Sequence, residues 1–204
     1  MNELIVLGCP NCPTNVAARS WAASDLLPVL GMLLLPLAVM GAVMVVVGLK
    51  RPLLGAAMLL GVGLGGFLDG IVLHQVLQWH SMLSSRVPPD DLVSMKYNMV
   101  FDGVFHLVTW LATVAGLALL YRSARHGDLE GRPLVAGLLG GWGLFNFVEG
   151  LFDHQVFGLH HVHPGAGQLA WDVAFLASGP VLGIIAALLT VQRNVHVPRL
   201  RSYP

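Results

Sequence analysis

Long apolar runs joined by short polar connections dominate the chain. They cover about residues 26–49, 53–82, 98–121, 133–160 and 169–192. A helix needs roughly 20 residues to cross the hydrocarbon core of a bilayer, and every run meets or approaches that length. Little of the chain is left for a soluble domain. The pattern therefore predicts an all-α integral membrane protein with five transmembrane helices. The first run starts late and no basic stretch precedes it, so it reads as a retained span and not as a cleaved signal.

Composition agrees with the pattern. The 204 residues are 55% hydrophobic and 11% charged, where a soluble domain averages about 25% charged. The formal net charge is zero, and no basic face points to nucleic acid. The expected partner is the lipid bilayer. Lys50, Arg51, Arg122, Arg125, Arg132, Arg193, Arg199 and Arg201 fall on one side of the spans, and Arg19, Arg86 and Lys96 on the other. Cytoplasmic loops carry the excess of Lys and Arg. The bias predicts N-terminus out and C-terminus in, in a bacterial inner membrane.

Two segments repeat one pattern: acid-Gly-x-x-x-His-Gln-Val-x-x-x-His, at 69–80 and again at 149–160. Arg51-Pro52-Leu53 opens the first unit and Arg132-Pro133-Leu134 the second. After each motif comes an outer loop and a second helix, beginning Phe101-Asp102 in one unit and Trp171-Asp172 in the other. Each unit holds two spans, so the copies keep one orientation, related by an axis along the membrane normal. This divides the chain into an extracytoplasmic segment (1–25), an extra helix (26–50), repeat units at 51–125 and 132–196, and a cytoplasmic tail (197–204). The repeats are expected to form a pseudo-symmetric four-helix bundle. Glycines punctuate spans two and four, and small residues let membrane helices approach closely.

Ionisable residues inside apolar spans are expensive and mark function by default. At ~1.5 Å per residue, His74, His106 and His154 lie roughly 10–12 Å below the outer ends of their helices. The repeat mate of His106 is Leu176. Three imidazoles with one open direction resemble an open metal site. Asp102 is placed to orient an imidazole, with Asp69, Glu149, Asp153 and Asp172 as further ligands, supports or proton carriers. His80, His160, His161 and His163 fall near the outer surface, as an entry relay or solvated residues. At about 100° per residue, Asp69 and His74 are about 140° apart on a helix. Either the helix bends or the polar groups form two sites.

Cys9 and Cys12 form Cys-Pro-Asn-Cys, a spacing that binds Cu(I) or Zn or cycles as a disulfide. On the predicted topology it faces outward near Met82, Met95 and Met99, and soft sulfur ligands favour Cu(I).

The words Gly-Phe-Leu-Asp-Gly-Ile-Val-Leu-His-Gln at 66–75, Trp79-His80, Asp102-Gly103-Val104-Phe105-His106 and Gly-Trp-Gly-Leu-Phe-Asn-Phe-Val-Glu-Gly at 141–150, running on to His160-His161, carry a family likeness. Over roughly 55–190 the chain resembles a family of predicted bacterial membrane proteins, domain of unknown function 2243. The resemblance implies a bacterial inner-membrane protein and no particular activity. The residues themselves point to an intramembrane His/carboxylate centre, open to the outer face, that binds or handles a transition metal: copper, zinc or iron. An extracytoplasmic metal donor or acceptor protein is a further expected partner. A membrane metalloenzyme (a hydrolase or oxidoreductase), a haem protein, a metal-free proton or solute path, and hydrogen-bond glue between helices are the alternatives.

The orientation is checked by reporter fusions. Fusions after Arg201 are expected to read as cytoplasmic, and fusions in the 86–96 loop as external. The reverse pattern would put the histidine motifs at the inner face.

Overall fold

The computed structural model describes residues 23–191. All regular elements there are helical, and five helices are long and apolar enough to span a membrane. The segment with Cys9 and Cys12 and the tail lie outside the described residues.

Helix α1 (Ala23–Lys50) runs with Pro28 and Pro36 inside it. Only Arg51 separates it from α2 (Pro52–Phe67), where Pro52 takes the first turn of the helix. Proline suits that position because its missing N–H would have no partner there. Helix α3 (Leu92–Arg125) begins with a capping box: Asp91 accepts from the amides of Val93 and Ser94, and the Ser94 hydroxyl accepts from the Asp91 amide. Helices α4 (Gly131–Glu149) and α5 (Gln168–Thr190) complete the set.

Helices α2 and α4 lie together at the centre. A side chain at Gly61 would run into the Leu138 carbonyl oxygen, and one at Gly141 into the Met58 carbonyl oxygen. Gly61 and Gly141 are equivalent in the sequence repeat, as are Met58 and Leu138, so the contact is reciprocal. Helix α3 packs on α2, and α5 packs on α4. Helix α1 lies against α2 and touches α4. Its Met40 is buried with Val62, Phe145 and Val148. The outward faces remain apolar, with Leu107, Leu111, Ile184 and Leu188 among many exposed large hydrophobics. That is what a lipid-facing surface requires.

Two features depart from the sequence expectation. The central helices do not stay α-helical to their C-terminal ends. α2 passes into a π-helical turn at Leu68–Val76, and α4 into one at Gly150–Val156. The second and fourth spans also end sooner than expected, at Val76 and Val156. Gln78 (φ 52°) and Gly158 (φ 55°), at equivalent places in the repeat, then turn the chain back in the left-handed region. The loop after α2 folds into the end of the bundle where the π-helical turns lie. There Met82, Leu83 and Val87 form a buried cluster with Phe101 and Leu159. Leu83 and Leu159 are fully buried.

Candidate metal centre

The π-helical turns build the site. In a π-helix each N–H bonds five residues back, as the Leu77 amide does to the Val72 carbonyl and the Phe157 amide to the Phe152 carbonyl. Residues five apart therefore share a face. The wider turn removes the 140° offset that an α-helix would impose. Asp69 Oδ2 stands 3.1 Å from His74 Nε2, and Glu149 Oε1 stands 2.9 Å from His154 Nε2. The back-turned loops add His80 and His160. Their rings stack, with centroids 4.6 Å apart and planes 8° from parallel.

The two units interlock at this point. His80 Nδ1 donates to the Val162 carbonyl of the second unit at 2.8 Å. His160 Nδ1 donates to the Met82 carbonyl of the first at 3.0 Å. Asp102 Oδ1 accepts from His74 Nδ1 at 2.9 Å and from the Met82 amide at 2.7 Å. Asp172 Oδ1 accepts from the Val162 amide at 2.9 Å, while Oδ2 meets His161 Nδ1 at 2.7 Å. The pattern is looser at His154, whose Nδ1 is 3.7 Å from Asp172. Because the Nδ1 sides of His74, His80 and His160 are committed to acceptors, their Nε2 atoms carry the lone pairs when the rings are neutral.

Burial works against the charged form of both loop histidines. It pushes the His80 imidazole down to about 2, and the His160 and His74 rings push the same way. Burial also lowers His160, against the opposing pull of Glu149. His160 Nε2 meets Glu149 Oε1 at 2.9 Å, on the ring edge opposite its bond to the Met82 carbonyl. His74 stands between two carboxylates. A ring placed between two acceptors needs a second proton or a cation to satisfy both of its nitrogens.

The centre differs from the sequence expectation in four ways. His74 and His154 belong to it, but His106 does not: its Nδ1 bonds the Asp102 carbonyl of its own helix at 2.7 Å. In its place stand His80 and His160, which were expected at the surface and are 4% and 0% exposed. Asp69 and Glu149 are level with the imidazoles and not deeper, because the π-turns bring them to one face. The six groups are buried, where a centre open to the outer face was expected. Asp153 is buried nearby with an unpartnered Oδ1. Asp102 and Asp172 orient histidines. His161 is part-buried on Asp172, and His163 packs edge-on against Trp79 with ring centroids 4.8 Å apart. The signal for His80 and His160 was in the repeat itself, which carries its last histidine in both copies.

The donor set fits a metal. His74, His80 and His160 each offer a ligand atom within 4.8 Å of one another, as do Glu149, His154 and His160. Unpartnered buried atoms include Asp69 Oδ1, His74 Nε2, His80 Nε2, Glu149 Oε2 and His154 Nε2. Where a carboxylate oxygen lies near these nitrogens without hydrogen-bond alignment, the spacing is close to that of two ligands sharing an ion at about 2.0–2.1 Å.

Asp102 gives a structural test. Asp102→Ala leaves the buried Met82 amide and His74 without their acceptor, a loss of order 1–3 kcal/mol for each such group. Thermal unfolding in detergent should show a clear destabilisation for Asp102→Ala. Asp102→Asn, which keeps an oxygen in place, should fall much closer to wild type. Equal stability of the alanine variant and wild type would mean that these bonds do not hold the loop.

No curated protein and no solved structure matches the chain. A family model does: that of DUF2243, described as a predicted membrane protein, over residues 56–193. The match takes in both π-turns, both back-turned loops and every residue of the histidine–carboxylate cluster. The chain belongs to this family of membrane proteins, DUF2243.

Proposed function

We propose that the protein holds a transition metal resident within the membrane, ligated by His74, His80, His154 and His160 with Asp69 and Glu149. One observation carries the reading. Buried imidazole nitrogens and carboxylate oxygens crowd together at about hydrogen-bond distance, and several of these atoms have no hydrogen-bond partner. An unsatisfied buried polar group costs about 1–3 kcal/mol. Gathering several in an apolar bundle makes sense when a cation binds them together. Helix-to-helix glue would instead pair each donor with an acceptor.

The donors are nitrogen and oxygen, which suit zinc, iron, manganese or Cu(II). A case for Cu(I) needs the thiols of Cys9 and Cys12. Close ring packing, with centroids 4.4–6.3 Å apart among the four histidines, disfavours a slot for haem. The sealed position suits a retained ion better than one handed on to another protein. We place the centre at the outer end of the bundle in a bacterial inner membrane, on the strength of the Lys and Arg bias.

A second reading, a membrane metalloenzyme, is favoured by one feature. An apolar cavity of about 70 Å³ under α1 reaches Glu149 and Asp153 beside Met40, Val62, Phe105 and Phe145. A small apolar molecule dissolved in the lipid would meet the centre from that side. The metal would supply Lewis-acid or redox chemistry. Asp153 would hold or pass a proton, and the surrounding side chains would exclude water.

Metal analysis of protein purified without chelators is the test. Wild type should carry a transition metal. His160→Ala should lose at least half of it, and His106→Ala should keep all of it, with both variants eluting as wild type in gel filtration. A metal-free wild type, or equal loss in the two variants, would overturn the assignment.

A further inference from the structure

We infer that the centre is dinuclear. Each repeat unit binds one ion with one carboxylate and two imidazoles: Asp69, His74 and His80 in the first, Glu149, His154 and His160 in the second. This rests on the cluster being a metal site and goes beyond it in fixing the number of ions and the division of ligands.

Ring geometry is the first argument. An imidazole lone pair lies in the plane of its ring. The His80 and His160 rings are stacked with planes only 8° apart. Two nearly parallel planes share no nearby point, so one ion cannot lie in both. His80 and His160 must serve different ions. The groups of donor atoms lead to the same place. His160 falls within reach of both sets, yet its Nδ1 is committed to the Met82 carbonyl, which leaves one nitrogen for one ion. Its 2.9 Å contact with Glu149 assigns that nitrogen to the second unit. His80 then completes the first unit with His74, whose ring centroid is 4.4 Å from its own. Asp69 bridges that pair, 3.1 Å from His74 Nε2 and 4.0 Å from His80 Nε2.

Charge is the second argument. Five carboxylates are buried here: Asp69, Asp102, Glu149, Asp153 and Asp172. No Lys or Arg is buried among the described residues. Uncompensated charge in a low-dielectric interior costs several kcal/mol per ion. One divalent ion balances two carboxylates, and a pair balances the four that stand on histidines: Asp69, Asp102, Glu149 and Asp172. A pair also makes sense of the two supporting carboxylates, since each unit has its own behind its first histidine. Asp102 bonds His74, and Asp172 lies behind His154. Ligating histidines characteristically use their second nitrogen in this way.

The full-length protein, stripped with a chelator in detergent and titrated with Co²⁺ while visible absorption is monitored, decides the matter. Wild type is expected to reach its end point at two Co²⁺ per chain. His74→Ala and His154→Ala should each stop at one. Misfolding would remove metal for a trivial reason, so each variant is checked by gel filtration. The milder Asp69→Asn and Glu149→Gln are titrated beside them, and each should weaken one of two binding phases and leave the other. A wild-type end point at one Co²⁺ would overturn the dinuclear assignment while leaving a metal centre in place. So would loss of all binding on removal of His74 alone in a folded variant. No binding at all in wild type would overturn both.

Discussion

An acid and a histidine five residues apart cannot meet on an α-helix. They meet here because α2 and α4 widen into π-helical turns where the polar groups fall. The widening is inserted twice, at Leu68–Val76 and Gly150–Val156. It puts Asp69 beside His74 and Glu149 beside His154 within a few Å of one another. Everything else at this end of the bundle serves that placement. The left-handed turns at Gln78 and Gly158 send the chain back. The returning loops carry His80 and His160 inward, and Leu83 and Leu159 beside them in the chain are fully buried. π-turns are rare and recur at functional sites. A bundle needed only for packing would have no reason to give up two regular helix ends.

The same geometry exchanges contacts between the two repeat units. His80 of the first bonds a backbone carbonyl of the second, and His160 returns the bond. Near the middle of the bundle the approach of α2 and α4 at Gly61 and Gly141 is equally reciprocal. Close packing below and exchanged hydrogen bonds above hold the cluster between two rigid helices. Helix α1 breaks the equivalence. It covers the cavity that reaches Glu149 and Asp153, whereas among the described residues the groove beside Asp69, Trp142 and Phe175 has no such cover. Asp153 corresponds to Leu73 in the repeat, and His106 to Leu176. The two halves are therefore alike in their central acids and histidines and unlike in what surrounds them.

Much of this was legible in the sequence. Apolar length gave the five spans, and the duplicated motif gave His74, His154, Asp69 and Glu149 with their flanking Asp102 and Asp172. What the sequence hid was backbone geometry. Depth reckoned on a regular α-helical rise put His106 level with His74, and put His80 and His160 at the surface. A π-turn changes both the angle and the depth of every residue beyond it, and hydropathy carries no trace of it. The one sign was the 140° mismatch between Asp69 and His74, a conflict that a straight α-helix could not resolve. The duplicated last histidine of the motif was the other pointer, since a residue repeated in both units is placed by the fold and not by chance exposure to solvent.

X-ray absorption at the edge of the bound metal tests the central claim most directly, because it reads the ligands without any variant. The account predicts a first shell of nitrogen and oxygen at about 2.0–2.2 Å, with the outer-shell scattering of several imidazole rings. It predicts no sulfur. A shell dominated by sulfur at about 2.3 Å would move the metal to Cys9 and Cys12. A shell without imidazole scattering would contradict the histidine centre outright.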